Sequence, residues 1–218
     1  MRVNKLIFAA VLAALALTGC SSDPAQQALV KQALRPQEAR SPDPVFVALA
    51  NSGAPMLILS IEARDQAYAQ FARQSTNARG EESWISGDNL SLGLQDGVII
   101  ATRGFGGDMM SADVTRIAPL ITGRQGGISE HFLSHLNGND EVEISAFRCE
   151  VTRRGARDVD LGPYVAKTSL MISQCRNGDT AFKNLYWVED SSGQVVQSKQ
   201  WISPHIGMVS IRVIPPGR

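Results

Sequence analysis

The sequence has few of the residues that mark several familiar protein classes. Its 218 residues include three cysteines and three histidines, and 21 basic side chains are balanced by 21 acidic ones. Three cysteines exclude a disulfide-dense scaffold and a fold built on several zinc ions. A net charge of zero argues against a nucleic-acid-binding protein, which needs an excess of basic residues to contact phosphates. With 44% hydrophobic and 19% charged residues, the chain is too apolar to be disordered.

Long apolar runs are also missing, except near the N-terminus. Residues 6–17 are unbroken apolar sequence and follow the basic residues Arg2 and Lys5. A helix of this length spans about 18 Å, whereas the hydrocarbon core of a bilayer is about 30 Å thick. The run is too short to cross a membrane and has the length of the apolar part of a secretory signal peptide. We therefore predict that residues 1–19 are a signal peptide and that the mature chain leaves the cytoplasm.

The next residues predict a lipid anchor. Residues 17–20, Leu-Thr-Gly-Cys, resemble the bacterial lipobox, in which a small residue precedes the cysteine that receives lipid. A mature protein beginning at a lipidated Cys20 would be held firmly, since each buried CH₂ of an acyl chain contributes about 0.8 kcal/mol. Ser21 stands where an aspartate would resemble a signal to stay at the inner membrane, which implies the periplasmic face of the outer membrane.

The remaining chain divides into a tether and one domain. Residues 20–43 are rich in Gln, Ala, Ser and Pro, and we predict a lipidated N-terminus and tether with some helix. An N-terminal helix packed on the domain is an equally weighted alternative for this segment. Residues 44–218 are predicted to form a single β-rich domain.

Alternation of apolar and polar residues predicts the strands of this domain. Leu90, Leu92 and Leu94 alternate with Ser91 and Gly93, as in a half-buried strand. Asp-Gly and Asn-Gly dipeptides at 96–97 and 177–178 indicate hairpins. The predicted strands cover residues 56–61, 90–94, 98–102, 141–153, 165–175, 181–189, 195–202 and a last strand around 211–213.

The fold class follows from these strands. From residue 44 onward the pattern favours a mainly β fold, an antiparallel meander that closes into a barrel-like or sandwich domain to hide its edges. Minor helix is expected at residues 112–120 and 128–136.

A pair of histidines is the one pattern typical of metal binding. His131 and His135 would share a face of a helix and could hold an ion there. A zinc protease needs a glutamate directly after the first histidine, and Phe132 stands there. We favour two surface histidines and predict no metal site.

A glycine-rich segment at residues 103–108 resembles a phosphate-binding loop only superficially. It lacks the lysine and the Ser/Thr of such loops. We predict a sharp turn or bulge with positive φ, with Asp108 capping the element that follows. No cofactor site is predicted.

No catalytic signature is present. A G-x-S-x-G nucleophile motif is missing, and the many acids offer carboxylate pairs for glycoside hydrolysis without singling one out. The acids considered are Asp88, Asp96, Asp108, Asp113 and Glu189. The aromatic residues Trp84, Trp187, Trp201, Tyr164 and Tyr186 could line a sugar-stacking groove, but we expect core packing for at least two of the tryptophans.

Two cysteines remain once Cys20 carries lipid. Cys149 and Cys175 lie in or at the end of predicted strands, and a secreted chain meets an oxidising compartment. We predict a structural disulfide between them, worth on the order of 3 kcal/mol, over two separate buried thiols.

Two blocks of sequence resemble the YjbF/GfcB family of lipoproteins. The first follows the patterns W-x-S-x-D and T-x-G-[LF]-G-x-D-[LM], and the second N-x-Y-W-V-D with G-x-V-x-x-S-x-Q-x-x-x-P. The positions that carry the resemblance are Trp84, Gly104, Gly106, Asp108, Asn184, Tyr186, Trp187, Ser198, Gln200 and Pro204. The likeness covers roughly residues 46–215, with a divergent centre at 119–155, and Glu189 replaces the usual aspartate.

That family is similar to the group 4 capsule polysaccharide lipoproteins. The resemblance implies a mainly β, barrel-like fold and a non-enzymatic role in assembly or export of capsule or exopolysaccharide. It implies as partners the membrane, through the anchor, and export proteins or the polysaccharide itself. It carries over no catalytic residue. The alternative is a periplasmic glycan-processing enzyme that uses a carboxylate pair.

Overall fold

A computed structural model describes residues 41–64, 67–178 and 180–215. The predicted signal peptide, Cys20 and the tether up to residue 40 lie outside the described residues. The helices are α1 (Pro44–Asn51) and α2 (Ala118–Thr122). The strands are β1 (Met56–Ile61), β2 (Tyr68–Thr76), β3 (Glu81–Ser86), β4 (Ser91–Gln95), β5 (Val98–Arg103), β6 (Met109–Asp113), β7 (Gly127–Leu136), β8 (Val142–Ala156), β9 (Val159–Asp160), β10 (Val165–Ala166), β11 (Thr168–Asn177), β12 (Thr180–Glu189), β13 (Val195–Ser203) and β14 (Gly207–Ile214).

Twelve of these strands form one antiparallel sheet that nearly closes into a barrel. Their order is β5-β4-β3-β2-β1-β14-β13-β12-β11-β8-β7-β6, so the two end strands are consecutive in the chain. The predicted mainly β, barrel-like fold is confirmed. The two short strands β9 and β10 pair separately.

Side chains, rather than a backbone ladder, join the two end strands within the described residues. The Thr102 hydroxyl oxygen accepts the Met109 N–H at 3.0 Å. The Arg103 guanidinium donates to the carbonyl oxygens of Met109 and Met110 at 3.0 and 3.3 Å. These bonds occupy backbone groups that an open sheet edge would leave unpaired.

Apolar side chains fill the interior of the barrel. The largest fully buried ones are Tyr186, Phe71, Leu57, Leu59, Leu92, Met109, Ile117, Ile121, Leu133, Met171, Ile202 and Ile206. Helix α2 adds Ala118 and Ile121 to this core. A second, smaller cluster forms where Val159, Leu161 and Ala166 of the β9–β10 hairpin cover Val196.

Helix α1 lies where the sequence favoured strands. The Asp43 carboxylate accepts the N–H groups of Val45 and Phe46 at 2.7 and 3.1 Å, and Pro44 occupies the first turn, where its missing N–H costs nothing. These two start signals explain a helix in a segment without polar-apolar alternation. None of the helices within residues 41–64, 67–178 and 180–215 is long and apolar enough to cross a membrane.

The predicted helix at residues 128–136 is wrong, because this segment is strand β7. Ser129, His131 and Leu133 are buried, whereas Ile128 and Glu130 are exposed, which is the period of a strand. The predicted helix at 112–120 is also largely wrong: β6 extends to residue 113, and α2 covers only Ala118–Thr122.

The outer face of the β7–β8 hairpin exposes large apolar side chains. Val142 and Ile144 of β8 are 62% and 69% exposed, and Phe132 and Leu136 of β7 lie near them across the ladder. The opposite face of β8 buries Phe147, Cys149 and Val151. Both faces of β8 are apolar, so alternation alone did not identify the inner one.

Candidate functional site

Gln200 links strand β13 to β5 across the interior of the barrel. It is 2% exposed. Its side-chain oxygen accepts the Ile99 N–H at 3.0 Å. Its amide nitrogen donates to the Gly97 carbonyl at 2.8 Å and to the Ser198 hydroxyl at 2.9 Å. This side chain therefore satisfies backbone groups of the β4–β5 hairpin in the core.

Tyr186 and Asn184 extend the buried chain of hydrogen bonds from Gln200. The Tyr186 hydroxyl donates to the Gln200 oxygen and accepts from the Asn184 amide, each at 3.3 Å. The Asn184 oxygen accepts the Trp201 N–H at 2.9 Å. Burial raises the pKa of Tyr186, which keeps the hydroxyl protonated. Four positions that carry the resemblance are thus joined by hydrogen bonds in the interior. They are Asn184, Tyr186, Ser198 and Gln200.

The β5–β6 turn is organised by Asp108. Its carboxylate accepts the Thr102 hydroxyl at 3.0 Å and the N–H groups of Gly104 and Phe105 at 2.9 and 3.1 Å. Gly104 and Gly106 have φ of 89° and 86°, which confirms the predicted positive-φ turn. The predicted cap of a following element is wrong, because Asp108 closes its own turn.

The other positions of the resemblance lie in the core, under the small hairpin and in a turn. Trp84 is 4% exposed in the main core, and its indole N–H donates to Glu82 at 3.1 Å. Trp187 packs against the cluster under the β9–β10 hairpin. Pro204 is exposed in the β13–β14 turn.

The expectation of two surface histidines is wrong, because His131 is 4% exposed and His135 is half-buried, and each ring binds a different backbone group. The His131 ring donates from Nδ1 to the Asp113 carbonyl at 3.2 Å, and the His135 ring from Nε2 to the Ile202 carbonyl at 2.8 Å. Four residues along a strand span about 13 Å, too far for both rings to bind one ion. Burial lowers the pKa of His131, so its ring stays neutral. No cluster of three metal-ligating side chains occurs among the described residues.

Cys149 and Cys175 face each other across the β8–β11 ladder. Their Cα atoms are 4.0 Å apart, and the structure joins their sulfur atoms in a disulfide. The bond ties the middle of β8 to β11 on the buried side of the sheet.

A cleft, here called the mouth cleft, opens at the end of the barrel where the β5–β6, β7–β8 and β13–β14 turns meet. Its volume is about 630 Å³, within the range of about 300–1,000 Å³ typical of small-molecule sites. Gly107 lines it, and a Cβ there would lie 2.8 Å from the His205 Cβ. The Ser203 hydroxyl donates to the Gly107 carbonyl at 2.6 Å. This close contact fixes two of the turns against each other.

Aromatic rings form the floor of the mouth cleft. Trp201 and Phe147 line it. The Trp201 indole stacks on Phe182 with centroids 4.6 Å apart and planes 6° apart, and Phe147 and His135 meet its ring edge-on at 6.2 and 6.0 Å. Packing on several sides holds the indole in one orientation.

Some polar side chains of the mouth cleft are already hydrogen-bonded and others are not. In a first group, Arg103 donates to carbonyl groups of β5 and β6, and Asp108 accepts N–H groups of the turn between these strands. In contrast, Glu143, Ser145 and His205 line the cleft and form no side-chain hydrogen bond or ion pair with any described residue. The first group builds the cleft, and the second is available to a ligand.

A second cleft, of about 860 Å³, lies at the other end of the barrel, where the β2–β3, β4–β5 and β12–β13 turns meet. Among the acids considered as a hydrolytic pair, Asp96 and Glu189 line it. Glu189 accepts hydrogen bonds from the hydroxyls of Tyr164 and Ser192 at 3.3 and 2.6 Å. Asp108 lies at the mouth cleft instead, and the Asp113 carboxylate binds Thr115 outside both clefts.

Comparison with known proteins places this architecture in a family. The crystal structure of the hypothetical lipoprotein YmcC from Escherichia coli (K12) is similar, with a TM-score of 0.66 at 13% identity over 80% of this chain and 90% of that chain. At this low identity, the structural similarity shows a shared fold only. No match is found among curated proteins. The model of the family described as "Group 4 capsule polysaccharide lipoprotein gfcB, YjbF" matches residues 21–214. The resemblance seen in the sequence is therefore confirmed, and the chain belongs to the group 4 capsule polysaccharide lipoprotein family.

Proposed function

We propose that this protein is a lipoprotein of the outer membrane, facing the periplasm, that supports assembly or export of a capsule or exopolysaccharide without catalysing a reaction. The family match over residues 21–214 carries this proposal. Its partners are the membrane, through acyl chains on Cys20, and the polysaccharide or the proteins that export it.

Two observations support the anchor. Residues 17–20 resemble a lipobox, and the family match begins at residue 21, directly after Cys20. Replacing Cys20 by Ser removes the thiol that forms the thioether. We expect Cys20→Ser protein to keep its leader and lack the mass of the acyl chains, whereas wild-type protein sediments with outer membranes. Wild-type and variant proteins of the same mass would contradict the anchor.

The role in polysaccharide production is tested by a clean deletion of the gene. Extracellular polysaccharide is quantified in the wild type, the deletion strain and the strain complemented with wild-type protein. We expect a clear loss on deletion and recovery on complementation. Unchanged polysaccharide in the deletion strain would contradict the proposed role.

One observation favours the alternative of a glycan-processing enzyme: Asp96 and Glu189 line the same cleft. Glu189 is already bound by two hydroxyl groups, which supports a structural role for it. We expect purified protein to release no new reducing ends from the polysaccharide. Release that disappears in Glu189→Gln protein would instead support the enzyme.

A further inference from the structure

We propose that the mouth cleft binds a neutral segment of a glycan chain, with one sugar ring stacked on Trp201. This inference deepens the proposed function, since it names the site and the ligand class through which the protein would contact the polysaccharide.

The rigid floor is the first argument. The C–H faces of pyranose rings are apolar and stack on flat aromatic surfaces. Trp201 offers such a surface, and Phe182, Phe147 and His135 already hold its ring. Its backbone N–H is fixed by buried Asn184. Because these side chains are ordered before binding, binding would not lose affinity to the entropy cost of ordering them.

Available hydrogen-bonding groups around that floor are the second argument. Ser145 offers a hydroxyl, Glu143 a carboxylate and His205 an imidazole, all lining the cleft. The Trp201 indole N–H has no acceptor among the described residues, and it is not among their buried unpaired atoms. Together these groups supply both donors and acceptors, as the many hydroxyls of a sugar require.

The charges of the cleft indicate a neutral ligand. The Arg103 guanidinium donates to three backbone carbonyls, those of Thr102, Met109 and Met110. Asp108 is bound within the same turn. The opposite charges of Arg103 and Asp108, which are close in the same turn, offset each other. The carboxylate of Glu143, without a partner among the described residues, therefore gives the lining a net negative charge that would repel the carboxylate of a uronic acid. We therefore expect preference for uncharged sugar units.

The second cleft is a weaker candidate for the same ligand. Two aromatic residues line it. Trp84 is 4% exposed and presents little ring surface, whereas Tyr164 is 40% exposed but its hydroxyl already donates to Glu189 at 3.3 Å. Its Glu82 is bound to Arg73 and to the Trp84 indole, at 2.7 and 3.1 Å. Groups that are already paired gain little from a new partner.

Binding is tested on the native lipoprotein, purified in a detergent without a sugar headgroup. The probes are oligosaccharides made by partial hydrolysis of the strain's own extracellular polysaccharide, separated by anion exchange into neutral and acidic fractions. Calorimetry and tryptophan fluorescence report binding. We expect the neutral fraction to bind more tightly than the acidic one. Tighter binding of the acidic fraction would overturn the assignment of a neutral ligand, and binding of neither would overturn the site.

Three variants locate the ligand. Trp201→Ala should weaken binding about tenfold or more, and Glu143→Gln should weaken it severalfold. Trp201→Phe keeps a flat ring and so preserves folding and part of the affinity, but it should abolish the fluorescence change. The matched control Trp187→Phe, under the β9–β10 hairpin, should keep both the wild-type affinity and the fluorescence change. A fluorescence change that persists in Trp201→Phe protein would place the ligand elsewhere and refute the proposal.

Complementation separates this inference from the proposed function. If the deletion reduces polysaccharide and Trp201→Ala protein restores it fully, the mouth cleft is not the functional contact although the role stands. If the protein binds the neutral fraction through Trp201 and the deletion leaves polysaccharide unchanged, the site stands and the proposed function fails.

Discussion

Replacing Gln200 by Leu tests whether the buried hydrogen bonds, rather than apolar packing alone, hold β13 against β5. Leucine has a similar size but cannot bond the Ile99 N–H or the Gly97 carbonyl, which Gln200 contacts at 3.0 and 2.8 Å. A buried polar group without a partner costs about 1–3 kcal/mol. Two such backbone groups predict a loss of about 2–6 kcal/mol in the free energy of unfolding.

The measurement is equilibrium urea unfolding with the disulfide intact, followed by tryptophan fluorescence. A second measurement is hydrogen exchange of the Ile99 amide, which should be slow in the wild type and much faster in Gln200→Leu protein. The matched control is Gln197→Leu on the same strand, where the side chain meets Arg212 at 2.8 Å on the exposed surface. We expect the control to change stability by less than about 1 kcal/mol. Equal losses in both variants, or unchanged exchange at Ile99, would refute the reasoning.

Four further results are expected. Free-thiol labelling of native protein should find Cys149 and Cys175 unreactive, and replacing both by Ser should cost about 3 kcal/mol in unfolding free energy; two reactive thiols would contradict the disulfide. Because burial lowers the pKa of His131 in the folded state, stability should fall as pH drops below about 6.5, by at most about 1.4 kcal/mol per pH unit; an equal slope in His131→Asn protein would show that another group is responsible. Asp108→Ala should cost about 2–4 kcal/mol, because it removes the acceptor of two N–H groups and a hydroxyl, and a change under 1 kcal/mol would contradict its role in the turn. Ile144→Ser should change stability by less than about 0.5 kcal/mol, since that side chain is 69% exposed; a larger loss would mean that the face is covered.

Strands with clear alternation were predicted well from the sequence. Residues 56–61 coincide with β1, and the chain reverses between β11 and β12 at the Asn-Gly pair, where Asn177 is the last paired residue and Gly178 has a positive φ. Strands β2 and β3 were missed because much of their length faces solvent, as in β2, where only Phe71 and Ala72 are buried. Such strands form because they pair with neighbouring strands of the sheet. This pairing cannot be read from the pattern of the segment itself.

The histidines of β7 illustrate a different kind of error. Residues four apart share a face both in a helix and in a strand, so the spacing of His131 and His135 could not decide between the two. Their pairing with β8, from Gly127 opposite Val151 to Leu136 opposite Val142, settles the strand. Hydrogen bonding to a neighbouring strand therefore overrides a local spacing pattern.

The mouth cleft could not be assembled from the sequence. Its floor and rim come from β8, β13 and three turns that lie far apart in the chain. Trp201 was named only as one of several aromatics, and Glu143 and Ser145 carried no signal. The residues of the resemblance were recognised, but most of them, such as Gln200 and Tyr186, maintain the interior rather than line the cleft.

The filled interior limits how this domain can handle a polymer. The side chains of Phe71, Tyr186 and Met171 are fully buried in the main core of the barrel, and α2 adds Ile121 to the same core. A polysaccharide strand therefore cannot be threaded through the domain from end to end. Any contact with a polymer must therefore be made on the outer surface of the barrel or in a cleft at one of its two ends.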